Sequence, residues 1–402
     1  MIDLAESVTD IDIESVATGG EGVGHRADGR TLFVAGALPG ERVRVEITES
    51  RRRHDRGVVS QVLRPAPARR PPPCPHVARG CGGCDWQHVD EPTQRDLRLR
   101  IVADALRRIG RIPDPPLVCG PPGAAGSGRT TVRAGVIDGR AGFRRRRSHE
   151  IVAVDSCLVT HPAAEAVLVD SGFGPAEEVV VRVGARTGDR LVVASPTAAG
   201  VAAPDGVRVV GADELAAGTR AWIHEEVAGR RWRVSARSFF QASPEGAEAL
   251  VAAVGRGVDR LGPDPGGRLV DLCAGVGLFA GSIGRDWAEV TAVEPSRSAV
   301  ADVRHNLGRD GARVVRAPLD RWRPSRADLV IADPPRAGLG RAGVERVVAT
   351  GAAALVLVSC DVGSLGRDAG LLAAAGYRLV SAEVLDLFPQ TSHVEVVSAF
   401  AR

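Results

Sequence analysis

Alternating apolar and polar positions near the start of the chain give way to longer apolar runs beyond its middle. Thr31-Leu32-Phe33-Val34 and Arg42-Val43-Arg44-Val45-Glu46-Ile47 alternate as half-buried strands do. Gly19-Gly20-Glu21-Gly22-Val23-Gly24 and Ala27-Asp28-Gly29-Arg30 are turn chemistry between them. Residues 8–64 therefore predict a small β-barrel. Six prolines between Arg64 and Pro75 predict a stiff linker. Glu91 to Ile109 has helical spacing, with Leu97, Ile101, Ala105 and Leu106 on one face and Pro113-Asp114-Pro115-Pro116 beyond its end.

Residues 129–240 are strand-rich, with strands predicted over 132–137, 151–154, 179–183, 190–193 and 232–234. From Ser243 the texture changes. A helix over 244–258 precedes apolar strands over 268–272, 290–293, 329–332 and 354–359, spaced by helical segments. That alternation makes the fold class α/β, a parallel sheet with helices on both faces. No internal repeat is present.

With 402 residues, more than one core is needed. The expected units are a barrel over 1–65, a central domain over 66–240 and an α/β domain over 241–402, with the 91–109 helix a candidate to pack on the last. Hydrophobic and charged shares of 44% and 25% fit a globular protein. No apolar run is long enough to span a membrane, and Met1-Ile2-Asp3-Leu4-Ala5-Glu6 lacks the layout of a secretion signal. A cytoplasmic, monomeric protein is expected. The net charge of +3 argues little about partners, although every basic residue is arginine and none is lysine. GC-biased coding explains that usage as readily as a role in phosphate binding. Arg51-Arg52-Arg53 with Arg56, and Arg144 to Arg147, are the densest basic runs.

Leu269-Val270-Asp271-Leu272-Cys273-Ala274-Gly275-Val276-Gly277-Leu278 reads as strand, glycine turn and helix, the place where a backbone approaches a ligand. Glu294 follows Gly275 by nineteen residues and ends the next strand, where an acid accepts hydrogen bonds from a ribose diol. No third glycine of the dinucleotide fingerprint is present, so S-adenosylmethionine fits better than a nicotinamide cofactor. Asp333-Pro334-Pro335-Arg336 ends a later strand. Amino-group methyltransferases commonly place an aromatic residue where Arg336 stands, which argues against amine methylation.

Cys360 ends an apolar strand, and Phe388-Pro389-Gln390-Thr391-Ser392-His393-Val394-Glu395 precedes the final one. A thiolate and a nearby carboxylate suit addition to a pyrimidine ring followed by proton removal. His393 is a rival base, more readily structural or orienting. Cys74, Cys81, Cys84 and Cys157 offer four thiolates, which suit zinc or an iron–sulfur cluster equally by spacing.

Taken together these motifs resemble the RNA uracil-C5 methyltransferases, in particular their iron–sulfur ribosomal RNA branch. Residues 19–43 are similar to the family's TRAM domain, an RNA-binding barrel, and Ser238-Phe239-Phe240-Gln241 to its Phe-Phe-Gln motif. The resemblance implies a class I Rossmann-like methyltransferase domain and S-adenosylmethionine contacts at Gln241, Cys273, Gly275, Gly277, Leu278, Glu294 and Asp333. It also implies Cys360 as nucleophile, Glu395 as proton acceptor and a [4Fe–4S] cluster on Cys74, Cys81, Cys84 and Cys157. The substrate expected is 23S rRNA, with transfer RNA as the alternative; a catalytically idle RNA-binding assembly factor is the other class of reading. The first cysteine spacing is six residues where the family has five, and Cys273 and Leu278 stand where relatives carry an aromatic and a polar residue. Phe239, Phe240 and Phe388 are candidates to stack on a flipped uridine.

Overall fold

The computed structural model describes residues 8–123 and 128–402; the acidic opening, Met1 to Glu6, lies outside them. The first 64 residues supply a six-stranded sheet built from Val8–Asp12, Ser15–Val16, Gly22–His25, Thr31–Ala35, Arg42–Ser50 and His54–Arg64. Alternation does the sorting: Val43, Val45 and Ile47 turn inward onto Ile11, Leu32 and Val34 while their neighbours face solvent. Full burial of each such side chain stabilises by roughly 1.5–3 kcal/mol.

The proline segment that follows is docked. Arg69 pairs with the fully buried Glu41 and donates to the Gly36 carbonyl, and Arg70 donates to Gln390. It holds the first sheet against the rest of the chain instead of spacing them apart. A second sheet runs in the order Ile151–Ala153, Arg140–Arg144, Thr131–Ile137, Glu178–Val183, Arg190–Ser195, Arg208–Gly211, antiparallel except for its last pair. Helix Pro162–Asp170 covers it through Ala164, Val167 and Leu168. The hairpin Trp222–Val227 with Arg230–Ser235 connects this unit to the last one; its first strand, rich in charge, was not legible as a strand.

Residues beyond Ser243 form most of an eight-stranded sheet. Its order is Arg313–Val315, Glu289–Val293, Arg268–Leu272, Leu329–Ala332, Ala354–Ser359, Glu395–Ala401, Arg378–Leu385, Leu117–Cys119. The first five strands are parallel and mostly apolar where central, Leu329–Ala332 throughout and Ala354–Ser359 up to its last residue, as strands covered on both faces must be, with buried Asp271 the exception in Arg268–Leu272. Glu395–Ala401 runs antiparallel between its two neighbours. Helix Glu91–Arg108, capped by the Asp90 carboxylate on the Thr93 N–H, packs Leu97, Ile101 and Leu106 into the core of this sheet. Close approach to helix Val362–Ala374 requires Gly366, where a Cβ would sit 2.8 Å from the Ala105 carbonyl oxygen. Leu117–Cys119, given no element by pattern, extends the sheet as its edge strand. Three residues are too few to show a period.

Candidate active site

The strand Arg268–Leu272 ends in a turn with positive φ at Cys273 (62°), Gly275 (55°) and Gly277 (94°). Glycine adopts that backbone freely; Cys273 does so at a cost of roughly 1–2 kcal/mol. Two carboxylates hold the turn. Buried Asp271 accepts the Ala280 N–H at 2.9 Å while its other oxygen has no partner, and burial pushes its pKa up to about 8. Glu294 accepts from Gly275 N–H at 3.0 Å and Ser296 N–H at 2.8 Å, with its pKa also raised by burial. Each carboxylate oxygen has a second lone pair, so Glu294 keeps capacity for a diol. Leu278 opens the following helix and is buried.

A strap, residues 238–241, crosses this turn. A Cβ placed on Gly275 would meet the Phe239 carbonyl oxygen at 3.9 Å. Ser238 anchors the strap on buried Asp302 at 2.6 Å. The Phe239 side chain is 67% exposed, whereas Phe240 is half-buried against the core cluster that includes Ala247 and Val276, and Gln241 is half-buried.

Cys360 stands just past the end of strand Ala354–Ser359. Ser359 pairs with Val396 in antiparallel register, so the next step of that register sets Cys360 opposite Glu395. Glu395 is 4% exposed. Asp333 enters from the adjoining strand end, its N–H on the Leu272 carbonyl at 3.1 Å. The three acids interact. Burial, then the Asp333 charge, raises Glu395 well above the carboxylate range; burial brings Asp333 to about 7. Cys360 is pushed up to about 11 by burial and by both carboxylates, with the Arg336 guanidinium opposing. Such a thiol is unreactive at rest, and its neighbours are stronger bases than solvated carboxylates.

The loop before Glu395 is held from a distant part of the sequence. Arg98, 1% exposed, donates to the carbonyls of Phe388 (3.0 Å), Thr391 (2.7 Å) and His393 (3.1 Å) and pairs with Asp386 at 3.0 Å. Asp85 accepts from the Ser392 N–H and hydroxyl, and Gln94 exchanges hydrogen bonds with Gln390. His393 is exposed, edge-on to Phe388 at 5.9 Å and 3.4 Å from an Arg336 nitrogen. Sequence reasoning missed Arg98, Asp85 and Asp271. Gln94 and Arg98, polar residues four apart beside the apolar face of a predicted helix, were the available signal.

Cys74, Cys81, Cys84 and Cys157 line one cavity of about 320 Å³ together with His76, Val132, Phe143 and Val159. Burial raises Cys81, and Cys84 to about 11. The cysteine loops are tied down: Cys74 N–H donates to Gln87 and Cys157 N–H to Glu165. Among the described residues no group of three or more His, Cys, Asp or Glu side chains is arranged to hold a metal ion. Cys119 is exposed on the edge strand, apart from these. The basic runs are partly neutralised, Arg56 and Arg147 by Glu21 and Arg145 by Glu150.

Residues 6–59 match the TRAM domain family. Over its full extent the fold is similar to the crystal structure of Pyrococcus abyssi tRNA (uracil-54, C5)-methyltransferase in complex with S-adenosyl-L-homocysteine. That likeness has a TM-score of 0.73 at 22% identity and covers 98% of this chain and 99% of the other. The mixed α/β fold is thus a methyltransferase fold. An uncharacterised RNA methyltransferase of Streptomyces avermitilis is 35% identical, over 97% of each chain. A 23S rRNA (uracil(1939)-C(5))-methyltransferase of Alkalilimnicola ehrlichii is 34% identical, over 98% of this chain and 96% of the relative. The chain belongs to this family of S-adenosylmethionine-dependent RNA methyltransferases. No helix of the described residues is long and apolar enough to cross a membrane.

Proposed function

We propose that the protein transfers a methyl group to carbon 5 of a uridine in RNA, 23S rRNA foremost, through a covalent adduct at Cys360. The observation that carries this reading is the strand register that faces Cys360 with Glu395 beside the cofactor turn. The 34% identity to a 23S rRNA enzyme supports ribosomal RNA over transfer RNA.

Uracil C5 is a poor nucleophile on its own. In our reading the Cys360 thiolate bonds to C6, and the ring electrons pass to C5 as an enolate. The bound S-adenosylmethionine supplies the methyl group from its sulfonium centre. The enolate takes that methyl, Glu395 then removes the C5 proton, and the returning electrons expel the Cys360 thiolate. Burial raises the proton affinity of Glu395, which accepts the C5 proton once its own has been lost. Glu294, Gly275, Gly277, Cys273, Leu278 and Gln241 would hold the cofactor, with Asp333 at the transfer site. A free thiol near pKa 11 implies that substrate binding must lower it, as the Arg336 charge does in part.

For the cysteine cavity we favour a [4Fe–4S] cluster, which would act as a structural cross-link between the loops around Cys74–Cys84 and Cys157. Four half-buried thiols around one cavity, with no carboxylate in its lining, fit that group's donor chemistry. We read residues 1–65 as an RNA-binding barrel, 66–240 as the cluster-bearing unit and 241–402 as the methyltransferase unit joined by helix Glu91–Arg108. We place the enzyme in the cytosol as a monomer. RNA carrying 5-fluorouridine cannot lose its C5 substituent as a proton, so it should trap the protein at Cys360. Isolation of enzyme, cofactor and this RNA together with no covalent link would refute the mechanism.

A further inference from the structure

A second groove, of about 640 Å³, lies away from the cysteines and is used by none of the steps above. Its walls are the turn after helix Ala212–Ala217, the hairpin strands around Trp222 and Arg233, and the first turn of helix Arg297–Asn306. Arg220, Arg233, Arg237 and Arg297 line it, and no Asp or Glu does. Gathering four cations costs self-repulsion that no fold requires.

The arginines are not neutralised alike. Arg233 is fixed by buried Asp302 at 2.8 Å and by the Ala301 carbonyl. Arg237 reaches only a carbonyl, that of Ala212. Arg220 and Arg297 are exposed, and their guanidinium groups form no hydrogen bond or ion pair with any described residue; the Arg220 carbonyl accepts from Arg208. Trp222, 36% exposed, has the Arg233 and Arg208 guanidinium carbons at 5.5 and 6.0 Å from its ring centre. Cation–π contact of this kind preorganises a guanidinium without cancelling its charge.

Position supplies the second argument. Ser296, Arg297 and Ser298 in the lining come two to four residues after Glu294, so the groove borders the carboxyl edge of the sheet that also carries Cys360. Three strand spacings, roughly 14 Å, separate the ends of strands Glu289–Val293 and Ala354–Ser359. A nucleic-acid strand whose base enters at Cys360 could lay its neighbouring backbone there.

We propose that this groove is an RNA-backbone site, in which Arg220 and Arg297 bind phosphates flanking the target nucleotide. It rests on RNA as the substrate and adds a subsite to that reading. Single-stranded binding weakens with salt in proportion to the phosphates neutralised. The test titrates fluorescein-labelled polyuridine into wild type and the Arg220→Gln/Arg297→Gln variant over a range of salt. The variant's slope of log affinity against log salt should be shallower by about 1.4, with affinity at low salt about tenfold weaker. Thermal midpoint and S-adenosylhomocysteine affinity should be unchanged, which separates the effect from misfolding.

An equal fall in the Arg285→Gln/Arg341→Gln variant, exposed arginines outside the groove, would overturn the site, as would an unchanged slope. So would an equal loss measured with polyglutamate, which would make the groove a general anion surface. Wild-type protein that fails to methylate transcribed rRNA while the slope still falls would sink the catalytic reading and leave the groove standing.

Discussion

Replacing Arg98 by leucine should uncouple the loop before Glu395 from the rest of the fold. The leucine keeps the aliphatic stem against Trp86, over which the guanidinium now sits at 5.5 Å. It leaves the Thr391 and His393 carbonyls and the Asp386 carboxylate without their donor, whereas the Phe388 carbonyl keeps the Thr391 N–H and hydroxyl. Breaking a buried pair by removing one member costs about 3–5 kcal/mol, and each stranded carbonyl adds about 1–3 kcal/mol where water cannot reach it. Asp386 is 18% exposed and can recover hydration, which leaves the two stranded carbonyls as most of the loss, roughly 4 kcal/mol. That is a large share of the 5–15 kcal/mol typical of a domain. Urea unfolding measures the loss as a lower midpoint at unchanged slope. Hydrogen exchange over residues 386–395 should speed up in the folded variant, because local opening no longer breaks the Arg98 network. Lysine at this position restores charge to Asp386 but cannot span three carbonyls, so it should recover stability only in part. A leucine variant within 1 kcal/mol of wild type, with loop protection intact, would refute this account.

Two further outcomes follow from the acids around the site. Alkylation of Cys360 by iodoacetamide in the free enzyme should rise tenfold per pH unit up to pH 9 without a plateau, given a thiol near pKa 11. Because the Glu395 charge helps raise that thiol, Glu395→Gln should speed alkylation at pH 9 on the order of threefold while abolishing turnover; slower alkylation would mean Glu395 activates the thiol instead. Asp271 holds its proton more tightly folded, near pKa 8, than at the reference value of 3.8. The native state then binds more protons than the unfolded chain between those values, so stability falls as pH rises from about 4 to about 8. Asp271→Asn keeps the acceptor for Ala280 N–H and removes that titration, so it should gain about 3–4 kcal/mol over wild type at pH 8 relative to pH 5. Asp333 and Glu395 contribute slopes of the same sign that cancel in the difference, and an unchanged difference in denaturation midpoint would refute the assignment.

The strands that carry the site were legible because burial on both faces forces continuous apolar runs. Arg268–Leu272, Leu329–Ala332 and Ala354–Ser359 stand where the pattern puts them. What pattern could not show were contacts between residues hundreds of positions apart. Arg98 and Thr391 are partners across 293 residues, and Asp85 and Ser392 across 307. Periodicity reports which face of an element is buried and is silent on what covers it. The proline segment failed for a related reason: composition predicts a stiff chain, while its docking depends on Glu41 and Gln390 waiting at the other side.

Those distant contacts have a common geometry. Between Cys84 and Arg98 the chain touches all three parts of the molecule: Cys84 lines the cysteine cavity, Trp86 donates from its indole to the Gly20 carbonyl of the first sheet, and Asp85, Gln94 and Arg98 grip the loop before Glu395. At Gly20 no larger residue fits, since a Cβ would stand 2.5 Å from that of Ser392 and 2.7 Å from the Trp86 nitrogen. The glycine turn of the first sheet, the tryptophan and the loop before Glu395 are therefore packed as one body. An antiparallel strand inserted next to Cys360 brings Glu395 to the thiol by register alone, but register leaves the loop leading into that strand with few backbone partners of its own, Thr391 N–H on the Phe388 carbonyl among them. The segment 84–98 supplies them, which ties the position of the proposed base to parts of the chain that never touch the cofactor turn.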